Sequence, residues 1–412
     1  MRIGVLGSGG REHALQWALM KSPDVEIVYA IPGNGGTVNN QSIDVADHGA
    51  VARGCSELAL DLLVIGPEQP LADGLVDRLA TESIRVFGPL QAAARLESSK
   101  LWAKEFMRRH AIPTAPYTAV ASRQELTEAF RDSEGGVVLK ADGLAAGKGV
   151  VVCRESSDLS QAWERVIALC PKDRLFAEAC LSGWELSLVV ITDGRTWRAF
   201  PPTQDHKQLL DGDRGPNTGG MGAFTPVERC GADLLREIET SIVEPTLGGL
   251  REEKISYTGF LYFGLMITAA GPQVLEYNVR MGDPEAEVIL PALESDLLEL
   301  LDAARDGHLH ATAPRFRDEA FVDVVLASPG YPQAYTTGHP IDGLDSVRDS
   351  IVFHAGTSIE NDRIVTAGGR VLNVVAVGES LQQAINHAYA DVERIRFEGM
   401  SYRTDIGRRR RG

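Results

Sequence analysis

The sequence predicts a multidomain protein of mixed α/β and α+β class: an N-terminal parallel α/β domain, a β-rich middle domain with a small lid subdomain, and a C-terminal α+β domain. Three observations predict it. Short apolar runs alternate with longer amphipathic ones near the N-terminus, apolar runs flank a glycine-rich tip in the middle, and two long apolar runs precede an amphipathic helix near the C-terminus. At 412 residues, 44% of them hydrophobic, the chain is too long for one simple core.

The apolar runs 3–6, 25–30, 62–65 and 84–87 are separated by helical stretches such as 11–21 and 71–80, the pattern of βαβ repetition. Three of these runs end in turn signals: Gly7-Ser8-Gly9-Gly10, Pro32-Gly33-Asn34-Gly35-Gly36 and Gly66-Pro67-Glu68. Ligands of open α/β sheets sit at such strand ends. A long helix is expected from about residue 90 to 110, where Ile112-Pro113-Thr114-Ala115-Pro116 breaks it, because proline disfavours helix in the residue before it. Strands are expected at 135–138, 150–153, 175–178 and 186–191, then a polar glycine-rich stretch, then strands at 261–268 and 274–279. Beyond residue 313, strands at 321–327 and 370–377 precede a helix over 381–396. The expected domains are 1–98, 99–312 with a lid at about 116–186, and 313–412.

Composition excludes several functions. With 41 basic against 57 acidic residues the net charge is −16, and no basic stripe is interleaved with aromatics, so no nucleic-acid partner is expected. The run Arg408-Arg409-Arg410-Arg411 reads as a solvated tail. Five cysteines, an odd number without C-x-x-C spacing, suit reduced thiols rather than disulfides or a zinc site. Met1 leads directly into a strand, leaving no room for a secretion signal, and no apolar stretch approaches the ~20 residues of a membrane helix. A cytoplasmic, monomeric protein without a membrane partner is expected.

The strongest chemical signal is Leu275-Glu276-Tyr277-Asn278-Val279-Arg280. Side chains alternate along a strand, so Glu276, Asn278 and Arg280 share one face. Glu276 and Asn278 supply the hard oxygens that magnesium takes alongside substrate phosphates, and Arg280 can clamp a carboxylate or a transferring phosphoryl group. A solvated salt bridge on a sheet face is the plainer reading. It fits less well with an asparagine between the charges and a Gly282-Asp283-Pro284 turn after them.

A second signal is Lys140-Ala141-Asp142-Gly143-Leu144-Ala145-Ala146-Gly147-Lys148-Gly149, flanked by apolar runs. It is not a Walker A loop, since three residues rather than four separate Gly143 from Gly147 and a strand follows. Glycines let backbone N–H groups approach an anion, and Lys140 at the strand end can reach nucleotide phosphates. A bare flexible hairpin fits equally well. The stretch 204–222, with Asp205, His206, Lys207 and many glycines, suits a mobile loop closing over substrate, though an unliganded surface loop fits its length. His206 reads as structural. Gly7-Ser8-Gly9-Gly10-Arg11-Glu12-His13, between strand and helix, offers a phosphate seat reinforced by Arg11. A nicotinamide cofactor is disfavoured, because Glu12 falls where a third fingerprint glycine belongs.

Together these stretches resemble the glycinamide ribonucleotide synthetases, the phosphoribosylamine–glycine ligases of the ATP-grasp superfamily. The resemblance is carried by Gly7 to Ala14, Lys140 to Gly149, Gln204 to Lys207, Gly215-Pro216-Asn217-Thr218-Gly219-Gly220-Met221-Gly222, Gly282-Asp283-Pro284-Glu285 and Tyr402 to Gly407, and covers essentially the whole chain. It implies a pre-ATP-grasp domain followed by the ATP-grasp and C-terminal domains. It also implies ATP as co-substrate with Mg2+ or Mn2+, and glycine and 5-phosphoribosylamine as substrates, joined through glycyl phosphate.

By motif position the resemblance implies that Glu276 and Asn278 hold metal. Lys100 and Lys140 contact ATP phosphates with Gly143 and Gly147, Glu178 and Leu181 line the adenine hinge, and Glu185 meets the ribose. Gly9, Gly10, Arg11 and Glu12 seat the phosphoribosyl group with Asn34 and Glu68 nearby. Asp205, Arg280 and Asp283 surround glycine and the acyl phosphate, and Lys207 joins them on the substrate side. Another ATP-grasp ligase of purine synthesis and a silent ATP-binding scaffold are the competing readings. The strings from Asn217 to Met221 speak against the first, and intact Lys140, Glu276, Asn278 and Arg280 against the second.

Overall fold

A computed structural model describes residues 1–82, 84–144, 149–168 and 175–408. Near the N-terminus, strands Ile27–Pro32, Arg2–Gly7, Leu62–Ile65 and Val86–Phe87 lie side by side in that order as a four-stranded parallel sheet. The expected helix at 71–80 is two short ones, Glu68–Ala72 and Leu75–Thr81, because Gly74 between them takes φ +82°.

The long helix expected over 90–110 is likewise two, Gln91–Ser98 and Lys100–Arg109. Ser99 between them is extended (φ −137°, ψ 103°), and its hydroxyl accepts from the Trp102 N–H, capping the second helix. That break places Glu97 at the end of one helix and Lys100 at the start of the next.

Strands Tyr117–Ala119, Leu175–Ala179, Val137–Ala141 and Val150–Cys153 form a separate antiparallel sheet. Helices Arg123–Arg131 and Asp158–Ile167 join it around a small core of its own that includes Leu126, Leu139, Trp163, Val166 and Leu175. The rest of the chain packs around two larger cores, each drawing on the N-terminal, middle and C-terminal regions. Strand Trp184–Thr192 already belongs to the next sheet, in the order Trp197–Ala199, Trp184–Thr192, Gly259–Thr268, Gly271–Asn278. Trp184, Glu185 and Leu186, expected in the lid, therefore lie in this central sheet.

The polar stretch 204–222 differs most from expectation. It is strand-forming: Gln204–Asp205 and Gly222–Thr225 pair with each other, and the second pairs with Ala320–Ala327. The five-stranded sheet near the C-terminus runs Gln204–Asp205, Gly222–Thr225, Ala320–Ala327, Arg370–Gly378, Ser350–His354. Between its first two strands, Gln208–Leu210 and Arg214–Asn217 form a hairpin. The tail ties this hairpin down. Buried Arg403 donates to the Gln208 carbonyl at 3.0 Å and pairs with Asp213 at 2.9 Å, while the Thr404 N–H donates to Asp211 at 2.8 Å. The helix expected over 381–396 runs Leu381–Val392. Among the described residues no helix is long and apolar enough to cross a membrane.

Candidate active site

The first turn of the N-terminal sheet is built around a carboxylate. Glu12 reaches back so that the Gly9 N–H donates to it at 2.6 Å, and Arg11 Nε donates to its other oxygen at 2.6 Å. Gly7 (φ +122°) must be glycine, since a Cβ there would lie 2.5 Å from the Glu12 Cγ. Gly10 is equally tight, a Cβ meeting the Glu287 carboxylate at 2.5 Å. This turn abuts the segment after the last central strand. Arg11 Nη1 and Arg280 Nη1 both donate to the Met281 carbonyl, at 3.4 and 3.0 Å, and a Cβ on Gly9 would lie 3.3 Å from Asp283 Oδ2.

Strand Gly271–Asn278 ends two residues before Arg280, which stands in the turn beyond it, yet Asn278 and Arg280 meet on one group. Glu97 Oε1 accepts from Arg280 Nη2 at 2.8 Å and from Asn278 Nδ2 at 2.9 Å, and Glu97 Oε2 accepts from the Val279 N–H at 2.8 Å. The Asn278 amide takes this orientation because the reverse one would set its oxygen against Glu97 and the Tyr277 carbonyl. Burial pushes the Glu97 carboxyl up to about 7 against the pull of Arg280. Glu68 sits 3.4 Å from Arg280 Nε, and although burial opposes its ionisation, Arg280 and Arg11 hold it down at about 2.

Three lysines gather beside this group. Lys100 Nζ donates to the Gly143 carbonyl at 2.8 Å; burial lowers its pKa, opposed by Glu276. Glu178 is buried between Lys104, at 2.6 Å, and Lys140. Burial alone would raise the Glu178 pKa, but the two lysines hold it below its ordinary value. Glu276 connects this cluster to a further one, because its charge acts on Lys100, Lys207 and Glu185 alike. There Lys207 Nζ donates to Asp205 at 2.7 Å. Burial works against the Lys207 charge, and Asp205 with its neighbours raises its pKa well above the ordinary value. Burial pushes Glu185 up to about 7, opposed by Lys207.

The structure thus gathers Gly9, Gly10, Arg11, Glu12, Glu68, Arg280 and Asp283 in one cluster and brings Lys100, Lys140, Gly143, Glu178, Glu185, Asp205, Lys207 and Glu276 into neighbouring ones, with Asn278 joined to Arg280 through Glu97. Asn34 stands apart. Its amide donates to the Ser8 and His354 carbonyls at 3.0 and 2.6 Å and its oxygen accepts from Gly36 and Thr37, so the side chain is occupied in tying turns together. Leu181 is half-buried in the link between the lid sheet and the central sheet. Gly147 lies outside the described residues. His206 accepts from the Gly407 N–H at 3.3 Å and faces Asp213, a structural position.

Three site residues were missed in the sequence. Lys104 stands one helical turn after Lys100, a spacing that was available as a signal. Glu97 and Arg370 had none, because their partners are remote. Arg370 Nη2 lies 3.1 Å from Asp283 Oδ1, and its Nη1 donates to the Asp283 and Gly219 carbonyls at 2.8 and 2.7 Å.

Three family models of phosphoribosylglycinamide synthetase match: the N domain over residues 1–97, the ATP-grasp (A) domain over 98–286 and the C domain over 321–409. The phosphoribosylamine–glycine ligase of Clostridium acetobutylicum is 42% identical over 418 residues, covering 99% of this chain and 100% of that protein. The trifunctional purine biosynthetic protein adenosine-3 of Gallus gallus is 44% identical over 425 residues, and the match covers 99% of this chain but 42% of that longer protein. The crystal structure of phosphoribosylamine–glycine ligase from Thermotoga maritima superposes with a TM-score of 0.84 at 35% identity, covering 98% of this chain and 100% of that one. The chain belongs to the phosphoribosylglycinamide synthetase family, the phosphoribosylamine–glycine ligases.

Proposed function

We propose that this chain couples glycine to 5-phosphoribosylamine with cleavage of ATP, giving glycinamide ribonucleotide, ADP and phosphate in the cytoplasm. The glycine carboxylate attacks the γ-phosphorus and ADP leaves; the amine of phosphoribosylamine then attacks the acyl carbon of glycyl phosphate and phosphate leaves. The observation that carries this reading is the meeting of Asn278 and Arg280 on Glu97, between the glycine turn of Gly9 to Glu12 and the lysines Lys100 and Lys140.

Glu276 and the Asn278 oxygen are hard donors suited to Mg2+ or Mn2+, and the amide orientation keeps that oxygen clear of Glu97 and the Tyr277 carbonyl. Among the described residues no set of three or more His, Cys, Asp or Glu is placed to hold a metal, which suits a cation that completes its shell with substrate phosphates. Such a cation neutralises charge developing on the transferred phosphoryl group. Lys100, Lys140 and Gly143 meet the phosphates, with Gly147 on the same glycine-rich tip. Glu178, Leu181 and Glu185 border the adenosine.

Arg280 holds the glycine carboxylate and then the acyl phosphate, with Asp205, Lys207 and Asp283 around the amino acid. Gly9, Gly10, Arg11 and Glu12 seat the phosphoribosyl group, with Glu68 beside Arg280 and Asn34 fixing the turn from behind. No side chain need act as nucleophile, since alignment and charge neutralisation supply most of the rate in phosphoryl transfer. The subdomain built on strands Tyr117–Ala119, Val137–Ala141, Val150–Cys153 and Leu175–Ala179 acts as the lid that shields the acyl phosphate from water.

ADP release with phosphoribosylamine generated in situ, with and without glycine, tests the reading. Turnover is expected only with glycine, and Glu276→Ala and Asn278→Ala are expected to abolish it without unfolding the protein. Equal ADP release without glycine would exclude this substrate.

A further inference from the structure

An asparagine can serve a cation only when its oxygen faces the ion, and nothing intrinsic to the amide decides which way it faces. At Asn278 the decision falls to Glu97. This carboxylate is 7% exposed, and three N–H groups point at it: the Val279 backbone on Oε2, and Arg280 Nη2 and Asn278 Nδ2 on Oε1. Three N–H donors on its two oxygens suit the ionised form, which only accepts, so the Asn278 amide presents its nitrogen to Glu97 and its oxygen elsewhere. The second amide hydrogen goes to the Tyr277 carbonyl at 3.1 Å, which reinforces the same orientation.

We propose that Glu97 is a positioning residue for the cation site, turning the Asn278 oxygen outward and fixing the Arg280 guanidinium through the same carboxylate oxygen. The proposal rests on the reading of Asn278 as a cation ligand. It predicts a particular failure. In Glu97→Gln the new NH2 takes the place of either Oε2, facing the Val279 N–H, or Oε1, facing both Arg280 Nη2 and the Asn278 amide. The Val279 N–H cannot rotate away, so the NH2 takes the Oε1 place; there Arg280 loses one acceptor and keeps Glu68 and the Met281 carbonyl, whereas Asn278 can turn over and accept from the new amide. That flip withdraws the Asn278 oxygen from the cation. A partner behind a metal ligand typically contributes about 10–100-fold in metal affinity or activity.

The test is ADP binding by calorimetry with and without Mg2+, with bound Mn2+ counted by electron paramagnetic resonance. Wild-type protein is expected to bind ADP more tightly with the metal. Glu97→Gln and Asn278→Ala are each expected to keep metal-free ADP binding, which also reports folding, and to lose about 10–100-fold of the metal-dependent gain. The swap Glu97→Gln with Asn278→Asp is expected to restore the gain, because the introduced aspartate accepts from the introduced glutamine amide with one oxygen and offers the other to the cation. A merely structural Glu97 would not be rescued this way.

If Asn278→Ala loses the gain while Glu97→Gln keeps it, Glu97 does not position the ligand. Failure of the swap to restore the gain overturns the proposal as well. If Asn278→Ala keeps the gain, the ligand assignment beneath the proposal is wrong. Should Glu97→Gln lose metal-free binding, Glu97→Asp takes its place: one methylene too short to hold both partners, it is expected to lose the gain, and keeping it overturns the proposal.

Discussion

Arg370 reaches Asp283 across 87 positions of sequence, its Nη2 3.1 Å from the carboxylate and its Nη1 2.8 Å from the same residue's carbonyl. A second bond to the Gly219 carbonyl makes this arginine a clasp between the C-terminal sheet and the turn that follows Arg280. Arg370→Ala leaves these acceptors without their donor and lets Asp283 drift. A misplacement of roughly 1 Å costs up to about 100-fold in rate, so kcat/KM for ADP release is expected to fall by a factor of that order. A change within experimental error would remove Arg370 from the site.

Glu178 is the shared anionic partner of Lys104 and Lys140. Glu178→Ala strands two buried ammonium groups, and breaking a buried pair in this way costs about 3–5 kcal/mol. Urea unfolding of the nucleotide-free variant is expected to show a loss of that size, and a loss under about 1 kcal/mol would mean the lysines relax into water.

Glu287 is 0% exposed, with neither carboxylate oxygen hydrogen-bonded among the described residues. Burial, with Asp283 and Asp323 nearby, raises its pKa well above the ordinary value. The folded protein therefore keeps a proton that the unfolded chain gives up above about pH 4.3. This contribution to stability is fully present below that pH and is lost as the pH rises toward the raised folded value. Glu287→Gln carries no such proton and offers donors to nearby acceptors. It is expected to be about 1–3 kcal/mol more stable than wild type at pH 8 and to lose that advantage at pH 5. Denaturant unfolding at both pH values checks this; a difference independent of pH contradicts it.

Arg403 holds the hairpin beside Lys207 through the Gln208 carbonyl and Asp213. Arg403→Ala is expected to speed hydrogen exchange across residues 208–217 and to raise KM for glycine more than it lowers kcat. Unchanged exchange there would mean that the tail does not order the hairpin.

Much of this site was legible because its information is local. The alternation that brings Glu276 and Asn278 to one side, the lysine at the end of strand Val137–Ala141 and the glycine turn after strand Arg2–Gly7 all lie within a few residues of sequence. What escaped depends on remote partners. Glu97 meets Arg280 across 183 positions, and burial made its acidic side chain a keystone where local sequence shows only a helical glutamate. The break at Ser99 was readable as a serine cap but was masked by the continuous helical pattern around it. The stretch 204–222 looked mobile because its composition is that of a loop. Its strand Gly222–Thr225 is ordered by pairing with Ala320–Ala327, which no local rule anticipates.

That pairing limits where the polypeptide can be cut. A fragment starting at residue 313 would keep strands Ala320–Ala327, Ser350–His354 and Arg370–Gly378 but bare the flank now covered by Gly222–Thr225. An uncovered flank of this kind is a template for aggregation. A cut just before residue 204 fares no better, since it strips strand Gly259–Thr268 of its neighbour Trp184–Thr192, so the middle and C-terminal regions are interleaved through their sheets and neither is excised cleanly.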